Sequence, residues 1–304
     1  MTEALPLART RRIGPFEVGR IGYGCWRFAG TPVAAAREKL ETALAAGIDL
    51  IDTAAIYGFG ETAFGEAEER LGDALADAPG LREKIVLVTK GGIVPPIPYD
   101  SRKAALIESV EASLRRLRTE AIDLFLVHRP DFLAAHAEVG AALEEMHAAG
   151  KIRAAGVSNY TVAQTRALQA QMDLPLVATQ PEFSALTPAP LYDGVLDLAQ
   201  ETGLAPMAWS PLGGGALATG QGGPAPADRR DAVLAEIDRI AGVNGCGRDA
   251  VALAWVLAHP AAPVALIGTQ RPARIRAAMR AFDVRLTRRD WYAVLEARLG
   301  EAMP

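Results

Sequence analysis

"IDLFLVHRPDFLAAHAEVGAALEEMHAAGKIRAAGVSN" occupies residues 122–159. It opens with an apolar run, 122–128, that closes on His128, and it ends with a second run, 153–159. Runs this continuously apolar suit strands buried on both faces of a parallel sheet. The segment between them, 131–150, has helical periodicity and ends in Gly150, the expected left-handed C-terminal cap. Strand, helix, strand is the crossover that joins parallel neighbours.

The same unit repeats along the whole chain. Six more apolar or β-rich runs lie at 20–24, 49–53, 85–90, 176–180, 206–210 and 264–269. Helically patterned segments such as "PVAAAREKLETALAAG" (closing on Gly47), "SRKAALIESVEASLRRLR" and "VAQTRALQAQM" separate them, the last preceded by a Thr161–Gln164 capping box. Eight alternations predict an α/β fold, a closed (β/α)8 TIM barrel. A doubly wound sheet would need G-x-G-x-x-G after its first strand, and "GYGCWRFAG" (22–30) lacks that spacing. "RTRRIGPFEVGRIG" (9–22) alternates around a Gly-Pro and predicts a short N-terminal β-hairpin closing the barrel bottom. "GGGALATGQGGPAPADRR" (213–230) reads as a long irregular loop after the seventh strand, where barrels build phosphate sites and lids. Nothing resembles a linker, so one domain over 1–304 is expected.

Composition narrows the function classes. The chain has 304 residues, of which half are hydrophobic and 22% charged, at a net charge of −4. The basic residues form no block, which argues against a nucleic-acid partner. Cys25 and Cys246 provide neither a disulfide framework nor a metal-binding spacing, so no metal is expected. The N-terminus lacks the apolar core of a signal peptide, and no run of 18 apolar residues marks a membrane span. A cytoplasmic protein is expected, a monomer by default.

Side chains at the C-terminal ends of barrel strands project into the active site. The second strand ends at Asp52, the third at Lys90 and the fourth at His128, with Tyr57 on the loop above the second. Singly, each has a structural reading: a capping carboxylate, a solvated amine, a core imidazole, a packed phenol. Together at one rim they fit proton donation to a developing alkoxide. A tyrosine with a pKa of about 10 is a weak acid, and a neighbouring ammonium makes its proton easier to give. Asp52 holds Lys90 charged, and His128 shares the charge growing on a carbonyl oxygen. This set protonates and polarises but attacks nothing, so a hydride-donating cofactor must complete it.

"GIDLIDTAAIYGFGETAFGEAEERLGDAL" (47–75), with "LVTKGG", "IDLFLVHRPD", "GKIRAAGVSNY" and "MAWSPLGGG" in order, resembles the signatures of the aldo-keto reductases over about residues 13–298. The "WSPLGGG" variant and the chain's ending resemble a bacterial branch with short substrate loops. The resemblance implies the catalytic tetrad Asp52, Tyr57, Lys90 and His128. It places Gly24 against the cofactor, Ser158, Asn159 and Gln180 on the nicotinamide carboxamide, and Trp209 stacked on the ring. Ser210, Leu212 and Gly213 match the pyrophosphate contacts, with the glycine-rich segment as a strap over them. Gly268, Thr269, Gln270 and Arg274 match the segment that grips a 2′-phosphate, which implies NADPH rather than NADH, an Arg fork suiting phosphate. Two departures stand out. Gly268 replaces the Lys that opens this segment in many relatives, and Ala277 and Ala278 replace their adenine-contacting polar pair, with Arg271 and Arg276 as nearby charges.

The function implied is NADPH-dependent reduction of a small-molecule aldehyde or ketone. An alternative is a regulatory subunit of the same fold that senses redox state on a membrane channel. A cofactor-free barrel using Lys90 as a Schiff base leaves Asp52, "GVSN" and 268–274 without a purpose. Trp26, Phe59 and Tyr99 are the expected apolar wall around the substrate, and the substrate itself is not written in these motifs.

Overall fold

The computed structural model describes residues 3–304. Eight parallel strands close into a barrel: β3 (Ile21–Gly24), β4 (Leu50–Asp52), β5 (Val86–Gly91), β6 (Ile122–Val127), β7 (Ile152–Ser158), β8 (Leu176–Gln180), β9 (Ala205–Ala208) and β10 (Val264–Ile267). Their order is β10-β3-β4-β5-β6-β7-β8-β9, with β10 pairing back onto β9. The eight expected strands and the barrel are therefore present. An antiparallel hairpin, β1 (Thr10–Ile13) and β2 (Phe16–Gly19), precedes them. Its Ile13 and Val18 join the cluster that fills the barrel interior. Val86 and Val177, near the starts of β5 and β8, flank that cluster, so the hairpin plugs the N-terminal end.

The helices between and after the strands are α1 (Val33–Ala45), α2 (Glu66–Ala76), α3 (Lys103–Leu117), α4 (His136–Ala148), α5 (Val162–Gln169), α6 (Val195–Thr202), α7 (Ala216–Thr219), α8 (Ala227–Asn244), α9 (Arg248–Leu257), α10 (Pro272–Ala278) and α11 (Arg288–Leu299). The expected capping box starts α5, and Gly47 and Gly150 follow α1 and α4 with positive φ. Two segments differ from the sequence reading. Residues 131–135 are not helical, because Asp131 accepts from the backbone of Leu133 and Ser101 and holds a turn after Pro130. Residues 213–230 are largely ordered into a 3₁₀ turn, α7 and the start of α8, punctuated by positive-φ glycines.

Alternation along the strands sets the site. Leu50, Val88, Leu124 and Leu126 point into the barrel interior, whereas Ile51, Leu87 and Phe125 pack outward against the helices. By the two-residue period, Asp52 and Lys90 continue the inward rows of Leu50 and Val88 at the C-terminal mouth. Thr89, between Val88 and Lys90, faces the helices and donates to Glu68 of α2 at 2.5 Å. Arg116 of α3 closes on the other oxygen of Glu68, at 2.7 Å from Nε. This buried ion pair ties two helices to the strand that carries Lys90. On the opposite side Trp255 and Trp291 stack at 4.8 Å and exchange indole N–H bonds with each other's carbonyls at 3.0 Å, locking α9 to α11. No helix among the described residues is long and apolar enough to cross a membrane.

Candidate active site

A cavity of about 790 Å³ opens at the C-terminal mouth. Lys90 lies beneath its floor with no exposed surface. Its ammonium donates to Asp52 Oδ2 at 2.8 Å, to the Thr53 carbonyl at 2.8 Å and to the Tyr57 hydroxyl at 3.1 Å. Three acceptors use all three N–H bonds. Burial alone would lower the Lys90 pKa, but Asp52 and Tyr57 outweigh it and hold the ammonium above its ordinary range. Tyr57 follows the opposite balance. Burial pushes the phenol up, and the pull of Lys90 only partly offsets it, so its pKa lies above the ordinary value. The expected lowering by Lys90 is real as a contribution and loses to desolvation.

His128 stands edge-on to the Tyr57 ring, with centroids 6.0 Å apart. Burial, then Lys90 and Arg129, hold its pKa well below 6.5, so the imidazole is neutral at neutral pH. Its Nδ1 is buried with no hydrogen-bond partner among the described residues. Asp52, Tyr57 and His128 line the cavity, and Lys90 reaches it through the phenol. The four predicted residues are thus brought together.

A single chain of hydrogen bonds runs from this cluster to the cavity wall. Gln180 Nε2 donates to Asp52 Oδ1 at 2.9 Å. The Ser158 hydroxyl donates to the Gln180 carbonyl at 3.1 Å and accepts from Asn159 Nδ2 at 2.8 Å. Asn159 Oδ1 in turn accepts from the Trp209 indole at 3.1 Å. Asn159 and Ser210 hold positive φ, which bends the chain sharply where β7 and β9 leave the barrel. The residues matched to a carboxamide therefore also orient the Asp52 carboxylate and hold the Trp209 indole.

The remaining predicted residues divide. Gly24, Ser210, Leu212, Gly268, Thr269, Gln270 and Arg274 line the cavity, as does Trp26. Gly213 does not: its N–H donates to the Ser210 carbonyl at 2.8 Å, and Gly214, Gly215 and Thr219 line the wall instead. The first part of the glycine-rich segment thus borders the cavity. Phe59, more than half exposed, and Tyr99 do not line it. Arg271 lines it and Arg276 does not. Sequence reading missed Arg27, Arg129, Asp249 and Leu253, all of which line the cavity. Arg129 adjoins His128 and its signal was adjacency; Asp249 and Leu253 lie on α9, whose pattern reads only as buried helix.

These features suit an extended ligand with a flat ring at one end and anionic groups at the other. Trp209 offers a fixed aromatic face near Asn159 and Gln180, and Arg27, Arg271 and Arg274 gather cationic charge about Gly268–Arg274. Among the described residues no cluster of His, Cys, Asp and Glu could hold a metal ion.

Residues 20–298 match the model of the Aldo/keto reductase family. The chain is 46% identical over 291 residues to the 6-dehydroglucose reductase of Novosphingobium aromaticivorans, covering 94% of each. It is 41% identical over 297 residues to the 6-dehydroglucose reductase of Agrobacterium fabrum, covering 94% of this chain and 96% of that one. The solved glycerol dehydrogenase of Gluconobacter oxydans superimposes with a TM-score of 0.84 at 29% identity, over 97% of this chain and 98% of that one.

Proposed function

Because this chain belongs to the aldo/keto reductase family, we propose that it reduces an aldehyde carried by a carbohydrate, with NADPH as reductant and Tyr57 as the proton donor. The observation that carries the reading is the Lys90 ammonium bonded at once to Asp52 and to the Tyr57 hydroxyl at the cavity floor. When bound, NADPH supplies the hydride that this residue set lacks.

Ser158, Asn159 and Gln180 would hold its carboxamide, Trp209 would cover the ring, and Arg274 would take the 2′-phosphate. Gln180 and Asn159 suit this because each retains hydrogen-bonding capacity beyond the bonds that orient it. Tyr57 gives its proton to the oxygen as negative charge grows there, and Lys90 stabilises the phenolate left behind. Asp52 keeps Lys90 charged through the step, and Gln180 keeps Asp52 aimed at Lys90. His128, neutral and with its unpartnered Nδ1 best left as a bare nitrogen, carries its proton on Nε2 and donates to the same oxygen.

The names of the two similar reductases point to a glucose whose C6 is an aldehyde. Arg129 supports a polyhydroxylated substrate: it lines the cavity beside His128 and, among the described residues, its side chain makes no hydrogen bond or ion pair. Its free N–H donors can meet sugar hydroxyls. Loss of NADPH absorbance tests the reading, with the C6 aldehyde of glucose compared against butanal. The sugar aldehyde is expected to have a kcat/KM higher by on the order of tenfold or more, since unfilled polar groups penalise the alkyl substrate. NADPH consumption with neither substrate would overturn the reductase; equal rates would overturn the carbohydrate.

A further inference from the structure

Gly268 opens the segment Gly268–Arg274, and the reason it is glycine lies across the cavity. A Cβ at 268 would sit 2.7 Å from Nε1 of Trp26, on the loop after β3. With Trp26 lying where it does, a longer side chain at 268 could be accommodated only if the indole moved. The next residue, Arg27, stacks its guanidinium over the Trp26 ring at 4.1 Å from the centroid. Its Nη1 donates to the Gly268 carbonyl at 3.2 Å. The cation is thus fixed by a stack and one hydrogen bond at the head of the 268–274 segment, and it lines the cavity there with Thr269, Arg271 and Arg274.

A guanidinium has five N–H donors, and only one of the Arg27 donors is used, by Gly268. No carboxylate among the described residues pairs with it. Stacking on an aromatic face pre-organises the planar fork, so less side-chain freedom is lost when it meets an anion.

We infer that Arg27 is a cofactor-specificity residue that binds the 2′-phosphate of NADPH, supplying from the first barrel loop a cation at the head of the segment that Gly268 opens. This rests on the NADPH reading above. Trp26 and Gly268 then form one device with Arg27: the indole is the platform, and the glycine leaves room for it.

The test is a fluorescence titration of wild type, Arg27→Met and Arg27→Lys with NADPH, with NADH and with 2′,5′-ADP against 5′-ADP, at low and high salt. Arg27→Met should weaken NADPH and 2′,5′-ADP by about ten- to a hundred-fold while changing NADH and 5′-ADP by less than about threefold. Arg27→Lys should fall between, keeping the charge but losing the fork. The salt dependence of NADPH binding should flatten in Arg27→Met, which a purely structural role would not cause. Equal weakening of NADPH and NADH would assign Arg27 to a group the two dinucleotides share and overturn the inference, as would unchanged affinity in Arg27→Met. Wild-type protein that binds neither NADPH nor 2′,5′-ADP would instead overturn the NADPH reading itself.

Discussion

Lys90→Met removes a charge from a place where nothing can replace it. The ammonium has no exposed surface, and its loss leaves the Asp52 carboxylate with Gln180 as its one remaining side-chain donor. It also takes a donor from the Thr53 carbonyl and from the Tyr57 hydroxyl. Breaking a buried pair by removing one partner costs about 3–5 kcal/mol, because the other charge stays buried and uncompensated. The variant is expected to lose that much in urea denaturation. Met fills most of the lysine volume, so the loss is electrostatic rather than a cavity effect. Catalysis should suffer separately. Without Lys90, burial and the nearby Asp52 carboxylate both push Tyr57 up with little to oppose them, and its phenol becomes a poorer acid still. Positioned proton transfer contributes about 10²–10⁴-fold, and turnover should fall by that order while NADPH affinity holds within a few-fold. The double variant Lys90→Met with Asp52→Asn divides the two effects. Removing the stranded carboxylate should restore about 1–3 kcal/mol of stability and none of the turnover. A double variant as unstable as Lys90→Met, or a single variant retaining near wild-type turnover, would refute the reasoning.

Arg274→Ala should weaken NADPH by about tenfold and NADH hardly at all, measured by the same titration; equal weakening removes its role at the 2′-phosphate. Stability should also fall on acidification. Burial keeps His128 well below its ordinary 6.5, helped by Lys90 and Arg129, and burial lowers His259 as well. Below that value the unfolded chain takes up protons that the native protein refuses, so stability drops as pH falls, by up to about 1.4 kcal/mol per pH unit for each group. Urea midpoints across that window should decline in wild type and decline less in His128→Gln; an identical slope in both would exclude His128 as a contributor.

The barrel was legible because strands buried on both faces are nearly continuous in apolar residues, and IDLFLV or VALI admits few other readings. The juxtaposition of Asp52, Tyr57, Lys90 and His128 was legible because each closes or follows such a run, so topology alone brings them to one rim. What was not legible depended on how loops travel. Phe59 and Tyr99 have the chemistry of a substrate wall, yet neither lines the cavity, whereas Arg27 does and rests on Trp26 in a stack with no sequence signature. Phe132 and Leu133 continue the helical pattern of α4 on paper, but Asp131 turns the chain and leaves both exposed. The proton affinity of Tyr57 depends on the balance of burial against Lys90, which no spacing encodes.

The central claim is that Tyr57 protonates the substrate oxygen while hydride arrives from NADPH. Single-turnover reaction of NADPH deuterated at nicotinamide C4 with the C6 aldehyde of glucose tests it in wild type and Tyr57→Phe. The account predicts deuterium at C6 of the product in wild type, and NADPH binding with almost no deuterium transfer in Tyr57→Phe. Transfer at the wild-type rate without the phenol would contradict it.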